Sequence, residues 1–259
     1  MTKLARRQVL TSLAATPFAG LTLAAVLADP NLARAAAEGL EEVSLTTAGG
    51  KRVSGALAVP AKTPAASIVL IHEWWGLNDQ IKAVAAEFAR AGYVALAIDL
   101  YSGNVADTRD GAKALMQAVD GGAATDTLVS WIAWLGKRGD TTGKMGTIGW
   151  CFGGGWSLAA AIATPVDATV IYYGRVNHPP ASLTSLKGPV LGHFATRDQW
   201  INREMVGGFV NAMGAAHKQV TAHWYEADHA FANPTGARYD QADAKLAWQR
   251  TMAFFRENL

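Results

Sequence analysis

The chain holds a single cysteine, and its neighbours are those of a nucleophile. Gly149-Trp150-Cys151-Phe152-Gly153 has the form G-x-C-x-G, with the apolar run Met145–Gly149 before it and the small-residue stretch Gly154–Thr164 after it. That order predicts a strand, a sharp turn and a helix. Glycines two residues either side let strand and helix pass without a Cβ clash, so the apex side chain is held out in a strained conformation. It then faces a helix N-terminus, whose unpaired amides favour a thiolate. The N–H of Phe152 is left free for a developing oxyanion. Most free cysteines are small buried hydrophobes. Placement at the C-terminal end of a central strand, where open α/β sheets take ligands, favours the chemical role.

A thiol nucleophile needs a base, and the base needs an orienting group. His193 and His223 fall inside predicted strands and read as buried, hydrogen-bonded residues; His178 and His217 lie in segments that read as surface loops. His229, in Glu226-Ala227-Asp228-His229-Ala230-Phe231, follows the last predicted strand and precedes the last helix. Asp198 follows the predicted strand Pro189–Phe194, whereas Asp228 is set aside because adjacent side chains diverge. Cys151, Asp198 and His229, in that chain order, suit acyl transfer through a covalent intermediate. No H-x-H or H-E-x-x-H pattern occurs, and His72-Glu73 lacks a second histidine four residues on, so no metal is expected. Acyl transfer of this kind requires no cofactor.

The elements that must carry these residues alternate. Glu42–Thr47 and Arg52–Val59, turned by Ala48-Gly49-Gly50, predict a hairpin. Ser67–Ile71 is short and continuously apolar, as a strand buried on both faces should be. Ile81, Val84, Ala85, Phe88 and Ala89 trace one helical face, which Gly92 closes. Further strands read as Tyr93–Ile98, Ala168–Tyr173 and Val220–Tyr225, with helices around Leu128–Leu135 and Ala244–Phe255. The expected fold class is α/β: a mostly parallel central sheet with helices on both faces. With 259 residues, 50% hydrophobic and 17% charged, the chain can bury a large core and is not disordered. A formal charge of +2 gives no basis for nucleic-acid binding.

Taken together, these residues resemble the dienelactone hydrolase family (carboxymethylenebutenolidases), cysteine-dependent members of the α/β-hydrolase fold. The likeness runs from Val43 to Leu259 through Ile71-His72-Glu73-Trp74-Trp75-Gly76-Leu77-Asn78, Asp99-Leu100-Tyr101, the cysteine turn, Tyr172-Tyr173-Gly174, Asp198 and His229-Ala230-Phe231. It implies that Glu73 rests on the thiol and gates the Cys151–His229 ion pair. Without the family, Glu73 is a loop carboxylate that could cap the helix near Asp79. It also implies that the Trp74 amide joins that of Phe152 in the oxyanion hole. For substrate binding it points to Arg109, Lys113, Trp150, Tyr101, Ala230 and Asn233. Here the chain departs from the family. Asn233 stands where an arginine grips the substrate carboxylate, Ala230 where a serine is expected, and Lys113 where an aromatic hydroxyl is expected. The likeness therefore carries the machinery further than the pocket.

The sequence thus predicts a hydrolase of small carboxylic esters or lactones working through a Cys-His-Asp triad. Alternatives are a thioesterase or larger-ester hydrolase with the same triad, or a catalytically weak binding or thiol-sensing protein. Residues 1–35 read as an export signal: Lys3, Arg6 and Arg7, an apolar run, then Ala33-Arg34-Ala35 as a cleavage site. The paired arginines match the twin-arginine type, which implies a bacterial, periplasmic or secreted protein and a partner in the export machinery. Residues 36–259 are expected to form one domain, monomeric and without stable membrane insertion once cleaved. Losing the signal removes four basic residues and one acid, leaving a net charge of about −1.

Overall fold

A computed structural model describes residues 20–259. The basic residues of the expected export signal, and most of its apolar run, lie outside the described residues. In chain order the elements are α1 (Leu23–Ala28), α2 (Pro30–Ala37), β1 (Glu41–Thr46), β2 (Arg52–Ala58), β3 (Ala65–Ile71), α3 (Asp79–Arg90), β4 (Val94–Ile98), α4 (Arg109–Gln117) and α5 (Gly121–Gly136). Then come β5 (Thr141–Trp150), α6 (Phe152–Ala163), β6 (Ala168–Tyr172), α7 (Pro180–Leu183), β7 (Val190–Ala195), α8 (Arg203–Ala215), β8 (Val220–Tyr225) and α9 (Gln241–Asn258).

The eight strands form one sheet in the order β1-β2-β4-β3-β5-β6-β7-β8. The β1–β2 hairpin and the β2–β4 pairing are antiparallel, and every other pairing is parallel. Strands β3 and β4 are almost wholly buried, which explains their unbroken apolar runs. One face packs on α5, α6 and α8 through residues such as Leu128, Trp131, Leu158 and Phe209. The other packs on α3 and α9 through Val84, Phe88, Ala247 and Phe255. The fold is that of an α/β hydrolase.

Strand order also locates a crevice. From β3 the chain steps to β4 on one side, and then to β5 on the other. Loops leaving β3 and β5 diverge at their carboxyl ends, the switch point where open α/β sheets bind ligands. Glu73 and Trp74 follow β3, and Cys151 follows β5.

The helices are capped by the residues that precede them. Asn78 caps α3 through its side chain, accepting from the Ile81 N–H. That settles the alternative role of Glu73: it does not cap this helix. Helix α1 and most of α2, within the stretch expected to be cleaved, bury Val26, Leu27 and Ala33 against α3 and its surroundings. Among the described residues no helix is long and apolar enough to cross a membrane.

Candidate active site

At the end of β5 the backbone turns at Cys151 with φ +53° and ψ −114°, and Phe152 opens α6. A side chain at that φ costs about 1–3 kcal/mol and persists only where the surroundings over-determine it. The surroundings here are two close backbone approaches. A Cβ on Gly149 would meet the carbonyl of Gly153, and one on Gly153 would meet the carbonyls of Ile71 and His72. Strand β5, helix α6 and the end of β3 are therefore locked together with the thiol at the apex.

His229 reaches that thiol from the far side. Its Nε2 lies 3.1 Å from Cys151 Sγ, and its Nδ1 lies 2.6 Å from Asp198 Oδ2. The two loops that supply these residues are zipped as they leave the sheet: Thr196 N–H donates to the Tyr225 carbonyl and Arg197 N–H to that of Ala227. Asp198 Oδ1 accepts from the amides of Trp200 and Ile201. Burial pushes the Asp198 carboxyl up, but the bonds from His229 and these two amides prevail and hold it below its usual range. It is therefore an anion beside the imidazole. Ala230, next in sequence, and Tyr173, whose ring lies 5.2 Å from that of His229, also have positive φ (+66° and +38°). Three strained non-glycine residues thus converge on one site.

Electrostatics at the thiol oppose the sequence expectation. Burial first, and then the Glu73 carboxylate, push the Cys151 thiol up to about 12, against the Phe152 amide that favours the anion. The helix N-terminus is present but outweighed, so the resting group is a thiol.

Glu73 is buried, with its carboxyl pushed up by burial and partly restored by the Asn233 amide. Asn233 Nδ2 donates to Glu73 Oε2 at 2.7 Å, while its Oδ1 accepts from Thr235. One expectation changes here: Glu73 is tied to Asn233 rather than hydrogen-bonded to the thiol, and Asn233 gives it one amide hydrogen. Behind the Glu73–Trp74 turn, His72 Nδ1–H donates to the Glu73 carbonyl and Nε2 accepts from the Leu100 amide. Burial holds this imidazole neutral, so it pins the turn through backbone groups alone.

The remaining candidates separate. Tyr101 is buried, edge-on to His72 at 4.6 Å and 5.5 Å from the Phe152 ring; its hydroxyl has no partner among the described residues. Burial and the neighbouring thiol both hold that phenol protonated, so it can donate into the site. Trp150 instead points to the side of the sheet that carries Ile148, because adjacent residues of β5 alternate faces. Arg109 and Lys113 are exposed on α4, and neither is among the charges that act on Cys151. The cation that does act is Arg238, whose guanidinium lies 5.6 Å over the ring of Trp200. Trp200 is 61% exposed, and its ring is nearly perpendicular to that of His229, the centroids 5.3 Å apart. Sequence reading passed over Arg238; its place near Pro234 and Gly236, just beyond the histidine, was the only available signal. Among the described residues no cluster of ligating side chains could hold a metal.

The chain is similar to several known proteins. The model described as the dienelactone hydrolase family matches residues 53–259. The carboxymethylenebutenolidase of Pseudomonas putida is 29% identical over 229 residues, which span 83% of this chain and 95% of that one. Protein usf of Aquifex pyrophilus is 32% identical over 227 residues, spanning 81% and 95%. A dienelactone hydrolase-like promiscuous phosphotriesterase from metagenomic libraries superposes with a TM-score of 0.77 over 85% of this chain and 98% of its own. At 21% identity that last likeness speaks to the fold alone.

Proposed function

Given that the chain belongs to the dienelactone hydrolase family, we propose that Cys151, His229 and Asp198 hydrolyse carboxylic esters or lactones through a covalent acyl-enzyme. The observation that carries this reading is the line of contacts Sγ–Nε2, Nδ1–Oδ2 at 3.1 and 2.6 Å, at the switch point of the sheet. His229 takes the thiol proton as sulfur attacks the acyl carbon. The amides of Phe152 and Trp74 hold the oxyanion. As the tetrahedral adduct collapses, the C–O bond breaks and His229 protonates the leaving oxygen, which in a lactone stays attached to the acyl group. Water, deprotonated by the same imidazole, then cleaves the thioester and restores the thiol. Asp198 holds the Nδ1–H tautomer and stabilises the transient cation.

A thiol pushed up by burial does not need to be ionised at rest, because the base acts during attack. It also resists oxidation, which suits a lone cysteine in an oxidising compartment and speaks against a redox sensor. Arg238 at the mouth, stacked on Trp200, supports substrates that carry an anionic group. We further propose twin-arginine export to the periplasm or the exterior.

The test is a panel of small aryl esters, anionic lactones and acyl thioesters. Cys151→Ala should abolish turnover of every ester and lactone while the fold is retained. Wild-type protein should accumulate a mass increment equal to the acyl group. Arg238→Gln should raise KM for anionic substrates and leave neutral aryl esters unchanged. Turnover by the alanine variant at wild-type rate would remove Cys151 as nucleophile, and preference for thioesters would move the reaction to the alternative class.

A further inference from the structure

We propose that the cavity between α1, α3 and α9 is a second binding site, for an uncharged aromatic or alicyclic molecule ending in one hydrogen-bond acceptor. The cavity has a volume of about 250 Å³. Leu23 and Leu27 of α1 form its roof, Val84 of α3 and Trp248 of α9 its walls, and Trp150 and Tyr173 its floor. Neither Cys151, Asp198 nor His229 lines it. Glu73 and Asn233, joined to each other, stand where this space approaches the thiol chamber. The roof lies in the stretch expected to be cleaved on export, so the site belongs to the uncleaved chain, and it does not rest on the hydrolytic reading.

Size and chemistry name the ligand class. An apolar cavity of about 150 Å³ already takes benzene, so this one has room for two fused rings. Its walls offer aromatic faces and aliphatic edges, which favour an apolar body and penalise a buried charge. The inner end holds a polar group in need of a partner. Tyr173 is 1% exposed, and its hydroxyl makes no hydrogen bond of good geometry among the described residues, although the Glu73 carboxyl and the Ala232 backbone lie close to it. An unmet buried hydroxyl is costly, and a ligand carbonyl or ether oxygen placed there would accept its proton. The carboxyl of Glu73 lies at the same end and disfavours an anionic group there, and the one lysine of the lining, Lys245, is exposed on α9.

The experiment titrates the full chain with 2-acetylnaphthalene by calorimetry and by quenching of tryptophan fluorescence, with naphthalene and 2-naphthoate for comparison. One-to-one binding is expected, tightest for the ketone. Leu23→Trp and Ala244→Trp fill the cavity from opposite sides, and each should weaken binding by about tenfold or more. Either one suffices if the other fails to fold by circular dichroism. Tyr173→Phe should erase the advantage of the ketone over naphthalene. Blocking Cys151 with iodoacetamide at alkaline pH should leave affinity intact. Absence of saturable binding, indifference to the filling variants, or loss of binding on thiol alkylation would each overturn the proposal. Naphthoate binding as tightly as the ketone would do the same.

Discussion

Glu73 and Cys151 control one another, and each is more buried than its charged form favours. Below pH 4.5, the ordinary value for this carboxyl, Glu73 is neutral in both folded and unfolded chains. As pH rises past that point the unfolded chain loses the proton while the folded one keeps it. The unfolded state then binds fewer protons, so stability falls with rising pH until the raised folded value is passed. Glu73→Gln removes this loss. The variant should match the wild type in acid and gain on it from about pH 4.5 upward, read as urea midpoints across pH. The same substitution removes a charge that pushes the thiol up. Alkylation of Cys151, slow at neutral pH in the wild type, should therefore speed up in the variant, with its pH profile displaced toward acid. A profile that does not move would mean that Glu73 has no electrostatic hold on the thiol. At this scale the meeting of Cys151, His229 and Asp198 was legible as motifs, because each follows its own strand within a few residues. The Asn233–Glu73 bond was not, since it joins positions 160 apart in the chain and no local pattern announces it. Arg238 escaped for a similar reason: only the path of the loop beyond His229 brings it over Trp200.

Helix α9 is docked on the sheet by more than its apolar stripe. Thr251, wholly buried, bonds the Tyr172 hydroxyl at 2.7 Å and His193 Nε2 at 3.0 Å, and His193 Nδ1 meets the Tyr225 hydroxyl at 2.8 Å. One hydroxyl therefore ties the last helix to β6 and β7, and through His193 to β8, the strand that leads into His229. Thr251→Val keeps the shape and strands two buried polar groups, which costs about 1–3 kcal/mol. Thermal unfolding should shift down accordingly, while KM on neutral esters stays near wild type if the loop after β8 keeps its place. An unchanged melting temperature would show the network to be ornamental. Elements were the most readable level of this molecule. Unbroken apolar runs marked the buried strands, and spacings of three and four marked α3, α5 and α9, because burial on two faces or on one stripe leaves those periods. His193 proved buried and bonded as its strand position implied, whereas the half-buried His223 only stacks on it at 6.0 Å. What the periods could not convey was the direction of a side chain at a strand end, such as Trp150, which shares the face of Ile148.

For the whole molecule, the proposed export signal and the folded domain must share one chain. The stretch expected to be read by a peptidase, Ala33-Arg34-Ala35, lies inside α2, with Ala33 buried. A peptidase needs that stretch extended, so α1 and α2 must first detach. At 6 and 8 residues, neither helix would persist alone. Their buried anchors are Val26, Leu27, Ala33 and Ala36, and freeing the two largest costs about 3–6 kcal/mol. That lies at or below the roughly 5–15 kcal/mol that holds a whole domain, so the segment opens while the sheet stays intact. Amides of residues 23–37 should exchange faster than those of β3, and a protease added to native protein should cut first within that segment. Leu27→Ala should speed both by about tenfold or more without altering exchange in β3. If segment and sheet exchange together, then α1 and α2 belong to the cooperative core and removal of the signal cannot proceed from the folded chain. Fractionation of cells carrying Arg6→Lys with Arg7→Lys tests the other half of the argument. Retention of that variant inside, with the wild type outside, is expected for a twin-arginine passenger, and equal distribution would exclude the route.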